Sequence, residues 1–465
     1  MKTFDFNEYA AMPRAEQGQP ASSNESTEAF FRLCLRIRDA MFCDWESRES
    51  SRSVLELQKK AIIGYPKERD YFNTRIQQLL HEMEQENCPF PSWYATLEDA
   101  IYQENWGLAG LAPWFRPAYR YSSSAKIIGG RIYFMHEGKM VLQPQRISRE
   151  RCDQLIKSFL LLTPEARMDK NYYETYLLDG TRVTVFTEPM AKKGQTSIIF
   201  RRYIIPALSF EEQAKRGTIP KEAIPLFRAM VSTGFNTVFL GAVRTAKTTF
   251  LSTWQSYEDP TLEGVMVETD PEIPMDKILP QAPIVQLIAD GDELKKISKS
   301  LLRSDADYFI LAEARDGIAL DTAVRLAAKG TKRMKLTFHS RRPDRFPLEA
   351  ATEIVKQTGG DLHLTMNMIA SGFDYLFHFI QLADKRQKRL QGIYQMNLLP
   401  DGEILVEPVC LFDQKNESWT FYDRIGPAQQ LYASESEPES FALLPRLMRR
   451  LAEASPISGG AADGS

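Results

Sequence analysis

The sequence has few cysteines, and they form no pattern. They are odd in number and scattered without CxxC spacing: Cys34, Cys43, Cys88, Cys152 and Cys410. Disulfide frameworks and thiolate metal sites need even-numbered or closely spaced sets. The pattern therefore predicts free thiols in a reducing cytoplasm.

Long apolar runs are also missing. No segment approaches the roughly 20 consecutive apolar residues that a membrane-spanning helix requires. The opening stretch, MKTFDFNEYAAMPRAEQGQPASSNESTE, has no apolar core of the kind found in secretory signals. We therefore expect any membrane association to be peripheral and to come through a partner.

An excess of positive charge is absent as well. The 58 Lys and Arg residues face 61 Asp and Glu residues, whereas nucleic-acid-binding domains usually lean basic. We therefore expect no direct nucleic-acid partner, although a local basic groove stays possible. What the chain does have is 43% hydrophobic residues over 465 positions, enough for two or three domains with cores of their own.

Changes in composition and in the spacing of apolar residues divide the chain into five regions. They are a polar tail predicted to be disordered (1–26), a helical N-terminal extension (27–118), an α+β domain (119–215), an α/β domain (216–425) and a polar C-terminal tail with one amphipathic segment (426–465). The helical extension fits either a structural layer or a docking surface. In the α+β domain, β-rich runs flank the turn residues Glu137-Gly138, and a helix is predicted over 148–161.

From Ile219 onward, apolar strands and amphipathic helices alternate. Strands are predicted at 237–240, GVMVE, YFILAE and MKLTFHS, and helices at 220–233, 317–328 and around 346–357. This alternation predicts a mostly parallel sheet with helices on both faces. Three antiparallel-looking strands follow: YLFHFIQLA, RLQGIYQMNLL and EILVEPVCLF.

The loop after the strand at 237–240 has the spacing of a phosphate-binding loop. In GAVRTAKTT, a glycine is followed after four residues by Ala-Lys-Thr, and a helix is predicted from the lysine. In such loops, backbone N–H groups and the helix N-terminus surround the β-phosphate, the lysine reaches the β/γ oxygens and the hydroxyl binds Mg²⁺. The candidate nucleotide-binding residues are Gly241, Arg244, Thr245, Ala246, Lys247, Thr248 and Thr249, with Thr248 as a Mg²⁺ ligand.

Two residues of this loop are unusual. Ala246 stands where a glycine usually precedes the lysine, and Arg244 is a long cation where small residues are usual. If position 246 needs a positive φ, alanine costs on the order of 1 kcal/mol; if it belongs to the first helical turn, alanine costs little. Arg244 either projects outward or adds positive charge towards the phosphates.

Carboxylates follow two of the predicted strands. Glu268 ends one strand with Glu272 four residues on, and Glu313 ends another with Arg315 beside it. The carboxyl ends of parallel strands meet where such sheets bind ligands, and a carboxylate there holds Mg²⁺ or orients the attacking water. Glu268 and Glu313 are candidate catalytic residues, Glu313 also contacting Mg²⁺ directly or through water. Glu272 and Arg315 are candidate nucleotide contacts.

A histidine ends the next strand. His339, in KLTFHSRRPDR, lies at the same edge as the carboxylates. A lone histidine is often a structural hydrogen-bonding group, but this position also suits a sensor of the γ-phosphate. His339 is therefore the third candidate catalytic residue.

Several motifs in order along the chain resemble those of the traffic ATPases of type II secretion, type IV secretion and pilus assembly. The resemblance covers roughly 95–410 and is strongest to the CpaF-like branch, which serves Tad-type pili. GAVRTAKTT resembles the Walker A loop, VETDPEIP the Asp box, SDADYFILAEARDGIALDTAVRLAAKGT the Walker B segment and LTFHS the end of the His box. DGTRVTVFTEPMAKKGQTSIIFRRY resembles the family's N-terminal domain, which implies phosphate contacts for Arg182, Arg201 and Arg202.

The resemblance implies a fold and a function. The fold is a RecA-like P-loop ATPase domain preceded by a smaller α+β, PAS-like domain. Such proteins form homo-hexameric rings that hold ATP and Mg²⁺ between the domains and push on an inner-membrane platform protein. The chain would then be a cytoplasmic motor, peripheral at the inner face of the cell membrane, that powers pilus assembly or protein secretion.

The chain also departs from the family pattern. Besides Arg244 and Ala246, Thr269 replaces an acid of the Asp box, and Lys329-Gly330-Thr331 stand where the family has Thr-Gly-His. A catalytically weak or inactive scaffold subunit of the same machinery is therefore one alternative. The motor of a conjugative DNA-transfer system is another, because those systems use relatives.

Overall fold

The computed structural model divides the chain into two compact units, Met1–Ile204 and Ile205–Ser465. It describes residues 22–48, 51–136, 139–160, 171–202, 208–314, 316–384 and 386–458. The expectations for residues 1–21, for the turn Glu137-Gly138, for Arg315 and for residues 459–465 lie outside the described residues.

The first unit begins with a layer of helices. They are α1 (Ser22–Arg48), α2 (Ser51–Ile63), α3 (Pro66–Glu82) and α4 (Leu97–Asn105), followed by short 3-10 helices at Ala109–Phe115 and Pro117–Tyr119. Aromatic side chains hold the layer together: the Phe72 ring lies 5.9 Å from Trp45 and 4.9 Å from Trp106. These helices have an apolar core of their own.

The rest of the first unit is an antiparallel sheet with one helix packed on its apolar face. Its elements are β1 (Ser124–Ile128), β2 (Arg131–His136), β3 (Lys139–Arg146), α5 (Arg149–Leu160), β4 (Tyr172–Tyr176), β5 (Arg182–Phe186) and β6 (Ser197–Arg201), with the strand order β3-β2-β1-β6-β5-β4. Cys152, Leu155 and Phe159 of α5 pack against the sheet's buried side chains. The helix predicted over 148–161 is confirmed.

The second unit is built on a ten-stranded mixed sheet. Its strands are β7 (Thr237–Gly241), β8 (Gly264–Glu268), β9 (Ile284–Ile288), β10 (Tyr308–Ala312), β11 (Lys335–Phe338), β12 (Tyr375–Gln381), β13 (Lys388–Leu398), β14 (Ile404–Asp413), β15 (Ser418–Phe421) and β16 (Ile457–Ser458). The spatial order is β16-β15-β14-β13-β12-β7-β11-β10-β8-β9. From β12 to β9 all neighbours are parallel, and from β12 to β16 they are antiparallel.

Helices cover both faces of this sheet. They are α6 (Phe210–Lys215), α7 (Ile224–Thr233), α8 (Lys247–Gln255), α9 (Met275–Ile278), α10 (Gly291–Leu301), α11 (Gly317–Ala328), α12 (Phe346–Thr358), α13 (Leu362–Gly372), α14 (Pro427–Ser436) and α15 (Pro438–Ala454). Alternate residues of β7 supply two separate cores: Phe239 packs with α7, α8 and α15, whereas Val238 and Leu240 pack with α11, α12 and α13. A strand buried on both faces reads as one continuous apolar run, which is the pattern of β7.

The structure differs from the sequence expectations in two places. The segment YLFHFIQLA was expected to be antiparallel, but β12 is antiparallel only to β13 and runs parallel to β7, because α13 carries the chain back across the sheet. Residues 426–465 were expected to be a polar tail with one amphipathic segment. That segment forms α15, but it is not part of a tail, because Leu444, Met448 and Leu451 are buried in the same core as Phe239.

Candidate nucleotide-binding site

The candidate phosphate loop leaves the sheet where the strand connections change direction. After β7 the chain passes to β8, beyond β11 and β10, whereas β12 returns on the other side of β7. In open α/β sheets such a switch point creates a crevice outside the carboxyl ends of the strands, where ligands bind. The loop 242–246 lies in this crevice.

Gly241 is required by a close approach of two strands. Its φ is +146°, and a Cβ there would lie 2.4 Å from the Phe379 carbonyl oxygen and 2.6 Å from Thr245 Oγ1. The Thr245 hydroxyl donates to the Ala242 carbonyl at 2.9 Å and so closes the loop on itself. Only glycine fits at this turn, as expected at the start of a phosphate loop.

The structure answers the question that Ala246 raised. Ala246 has φ 73° and ψ 22°, a left-handed conformation, and Arg244 is left-handed too, with φ 66°. A side chain in this region costs roughly 1–2 kcal/mol per residue, whereas glycine adopts it freely. The loop therefore keeps a shape suited to glycine at positions that carry side chains, and it stores strain.

Lys247 is folded back onto the loop. Its ammonium donates to the Gly241 carbonyl at 2.9 Å and to the Ala242 carbonyl at 2.9 Å, and lies 3.2 Å from His339 Nδ1. Burial lowers the pKa of Lys247 to about 8, while the charges of Glu313 and Glu272 oppose that shift. All three ammonium hydrogens thus have an acceptor within reach.

His339 connects Lys247 to Glu313. Because an ammonium only donates, Nδ1 of His339 must accept, which places the ring proton on Nε2. Nε2 lies 3.4 Å from Glu313 Oε1, so that proton points at a carboxylate. The three predicted site residues therefore form one line from ammonium to imidazole to carboxylate.

The backbone of Glu313 is also strained. Its φ is 69°, and its N–H donates to the Thr337 hydroxyl of β11 at 2.8 Å. The neighbouring strand thus holds the turn that aims the carboxylate at His339. Left-handed non-glycine residues tend to cluster at functional sites, where the surrounding structure maintains them.

Glu268 has a different environment from Glu313. Its Oε1 accepts the backbone N–H groups of Glu272 at 3.2 Å and Ile273 at 3.0 Å, and the side chain is 4% exposed. Burial raises its pKa to about 8, so near pH 7 the carboxyl is mostly protonated. The geometry gives Glu268 the task of closing the loop after β8, and its catalytic role stays a prediction.

The first turn of α8 presents backbone donors to the crevice. Among the described residues, no side-chain hydrogen bond caps this helix at Ala246, and Thr248 and Thr249 are half-buried. Uncapped N–H groups together with the helix dipole form an anion site. No group of three His, Cys, Asp or Glu side chains within the described ranges could hold a metal by itself.

The three predicted arginine contacts lie in the first unit. Arg182 forms an ion pair with Glu174 of β4, and Arg201, its cross-strand neighbour on β6, is exposed. Arg202 stacks on Trp114 at 4.0 Å from the ring centre and donates to the carbonyls of Trp114 and Tyr119, each at 3.3 Å. Arg202 thus has a structural task, and the contacts of all three arginines with phosphate stay predictions.

Sequence reasoning missed residues that reach the site from the later strands. Thr337 holds Glu313, and His378 of β12 is 7% exposed with no hydrogen-bond partner for Nδ1 among the described residues. Burial, and then the charge of Lys247, lower the pKa of His378 to about 4. No local pattern marks these residues, because their position depends on which strands become neighbours.

No protein-family model matches the chain, and neither does any curated protein sequence. Solved structures that are similar to it include the ATPase DotB of Yersinia pseudotuberculosis (14% identity, 80% of this chain and 94% of that chain, TM-score 0.45) and the pilus retraction motor PilT with bound ADP (12%, 74% and 94%, 0.43). Another is the VirB11 ATPase of the Brucella suis type IV secretion system in complex with sulphate (17%, 61% and 95%, 0.33). At these identities and TM-scores the similarity does not bear on activity, which must be argued from the site. Among the described residues, no helix is long and apolar enough to cross a bilayer.

Proposed function

We propose that this chain is a cytoplasmic ATPase, a motor of the traffic-ATPase type that powers pilus assembly or protein secretion. The observation that carries the proposal is the line Lys247–His339–Glu313 at the carboxyl ends of β7, β11 and β10, beside an uncapped helix N-terminus. The ordered sequence motifs support the motor assignment, including its PAS-like and RecA-like domains, its homo-hexameric ring and its platform partner.

The chemistry begins with the ammonium of Lys247. In the structure it binds the carbonyls of Gly241 and Ala242, which are weaker acceptors than phosphate oxygens. A bound triphosphate would draw Lys247 away from these carbonyls and from His339 Nδ1. The imidazole, no longer held by Lys247, is then free to respond to the γ-phosphate.

Glu313 is placed to act on the attacking water. Its carboxylate accepts a hydrogen bond from His339 Nε2–H, and Glu313 directly follows β10, the strand beside β11. A carboxylate at this edge orients water for attack on the γ-phosphate. Mg²⁺, when bound, neutralises charge on the phosphates; the oxygen donors Thr248 and Glu313 are the hard ligands it prefers.

A scaffold subunit with weak or no hydrolysis is the second candidate. The left-handed Arg244 and Ala246 favour it, because each adds a side chain to a loop that must fold closely around phosphate. In that case the chain would keep the fold of the motor and lose its ATP hydrolysis.

Phosphate release with Mg²⁺ and ATP distinguishes the two candidates. The full chain is assayed at high protein concentration beside Lys247→Ala and Glu313→Gln, with Lys415→Ala, an exposed lysine in the turn between β14 and β15, as the matched control. A motor requires turnover in the unmutated chain and in the control, and loss of most of it in the two site variants. Equal background rates of phosphate release in all four proteins would contradict the motor and leave the scaffold subunit as the remaining candidate.

A further inference from the structure

The first unit contains a cavity of about 500 Å³ between its helical layer and the turn that joins β4 to β5. Most of the lining is apolar: Ile62 comes from α2, Leu108 and Phe115 from the segment after α4, and Leu178 from the turn. Binding sites for small organic molecules have volumes of about 300–1,000 Å³ and mostly apolar walls with a few polar groups. The cavity therefore has the size and the lining of such a site.

Two arginines of the lining meet at a single carboxylate, Asp99 of α4. The Asp99 side chain is 14% exposed, and it accepts from Arg69 Nη2 at 3.3 Å and from Arg116 Nη2 at 3.2 Å. A guanidinium has five N–H donors. Neither arginine side chain has another hydrogen-bond acceptor among the described residues, so both keep donors for a further anion.

Hydrogen bonds hold the lining around Asp99 in place. Gln103 donates through Nε2 to Asp99 Oδ1 at 3.1 Å, and its Oε1 accepts the Leu108 N–H at 2.9 Å. The buried Arg151 reaches from α5 and donates to the Gly107 carbonyl at 2.5 Å. Walls that are already fixed need little ordering when a ligand binds, which preserves affinity.

The charge around the cavity favours a ligand with one negative charge. Asp99 balances one of its two arginines, which leaves one positive charge unmatched. Among the described residues of the lining the other carboxylate is Asp179, which is exposed to solvent and accepts the Thr181 N–H at 2.9 Å. A phosphate monoester carries about −1.5 to −2 charges at pH 7. A carboxylate carries one, and its two oxygens fit the paired donors of a guanidinium.

We propose that this cavity binds a small carboxylic acid with an apolar body about the size of one or two aromatic rings. The carboxylate lies between Arg69 and Arg116, and the apolar body lies against Ile62, Phe115 and Leu178. Such a ligand connects the helical layer to the turn that leads into β5. The inference is independent of the proposed nucleotide site, whose phosphate loop belongs to the second unit.

The test is titration of the full chain with 2-naphthoate, followed by the fluorescence of this aromatic carboxylate. We expect saturation with a Kd of about 1 mM or lower. The uncharged 2-naphthamide should bind at least about fivefold more weakly, because it lacks the charged partner of the arginines. Absence of saturation at several millimolar, or equal affinities for the acid and the amide, would overturn the inference. Tighter binding of 2-naphthyl phosphate than of 2-naphthoate would overturn the assignment to carboxylates.

Substitution of Asp99 separates a binding site from a purely structural cluster. Asp99→Asn removes the carboxylate that competes for the two arginines, so 2-naphthoate should bind about threefold more tightly or better. A lower melting temperature of this variant without any gain in affinity would show that the cluster only holds the helices together. Arg116→Gln should weaken binding about fivefold or more, because a charged hydrogen bond is lost.

Leu178→Asp tests the same cavity at a position where the fold tolerates a polar residue, because Leu178 is 54% exposed. The added negative charge should weaken binding of 2-naphthoate about threefold and affect 2-naphthamide less. The matched control is Leu142→Asp, at an exposed leucine of β3 outside the cavity lining, and it should bind 2-naphthoate as the unmutated chain does. Equal affinity of these two variants for 2-naphthoate would overturn the inference.

Discussion

Replacing Ala246 with glycine should stabilise the second unit. Ala246 is left-handed, with φ 73°, and relief of that conformation is worth roughly 1–2 kcal/mol. Glycine also gives the unfolded chain more conformational freedom, which cancels about 0.4–1 kcal/mol of this stabilisation. The expected net gain is about 0.5–1 kcal/mol, or a rise of roughly 1–4 °C in the melting temperature of a unit of this size.

The same loop offers a control of opposite sign. Ala242 is exposed and is not among the residues with positive φ, so Ala242→Gly should lower the melting temperature by roughly 1–4 °C. Differential scanning calorimetry of the full chain, without nucleotide, measures both changes in the transition of the second unit. If the two variants shift that transition in the same direction, the strained loop is refuted.

Three further substitutions test other parts of the second unit. Glu258→Gln should lower the free energy of unfolding, measured in urea, by about 3–5 kcal/mol, because the Glu258 carboxylate is the partner of the fully buried Lys335 at 2.6 Å and of Arg333 at 2.7 Å. The control Asp259→Asn, at an exposed neighbouring position, should change this free energy little. Glu268→Gln should be as stable as the unmutated chain below about pH 4.5 and more stable by up to about 5 kcal/mol above pH 8. The reason is that the raised pKa of Glu268 makes loss of its proton costly in the folded state, and glutamine has no proton to lose. A difference in melting temperature that is the same at pH 4.5 and 8.5 would contradict this. Glu313→Gln should lower the pKa of Lys247 below about 8, because the negative charge of Glu313 raises that pKa. NMR of the Lys247 side chain at several pH values measures the change. The same titration curve in both proteins would show that the two groups do not interact.

The sequence was most informative where one segment contains all the evidence. The helix predicted at 317–328 agrees with α11, and the strand at 237–240 agrees with β7 within one residue. Apolar periodicity and the spacing of Gly241, Lys247 and Thr248 are local properties, so they are readable without knowing the fold. The edge positions of Glu313 and His339 followed from strand ends alone.

The parts of the site that the sequence did not predict depend on which strands become neighbours in the sheet. His378 lies more than a hundred residues after the phosphate loop, and it comes close to the loop only because β12 pairs in parallel with β7. Glu268 ends a strand as Glu313 does, but its carboxyl turns towards the backbone of Glu272 and Ile273. The sign of φ at Ala246 likewise depended on the closure of the whole loop.

Direct binding of ATP tests the central claim most simply. Titration of the full chain with ATP and Mg²⁺ should show saturation at micromolar to low millimolar concentrations, with the affinity of Lys415→Ala unchanged and that of Lys247→Ala weakened at least about tenfold. Absence of saturation at several millimolar ATP, or equal binding by the two lysine variants, would show that the loop at Gly241–Lys247 does not hold a triphosphate, and the proposed motor would be contradicted.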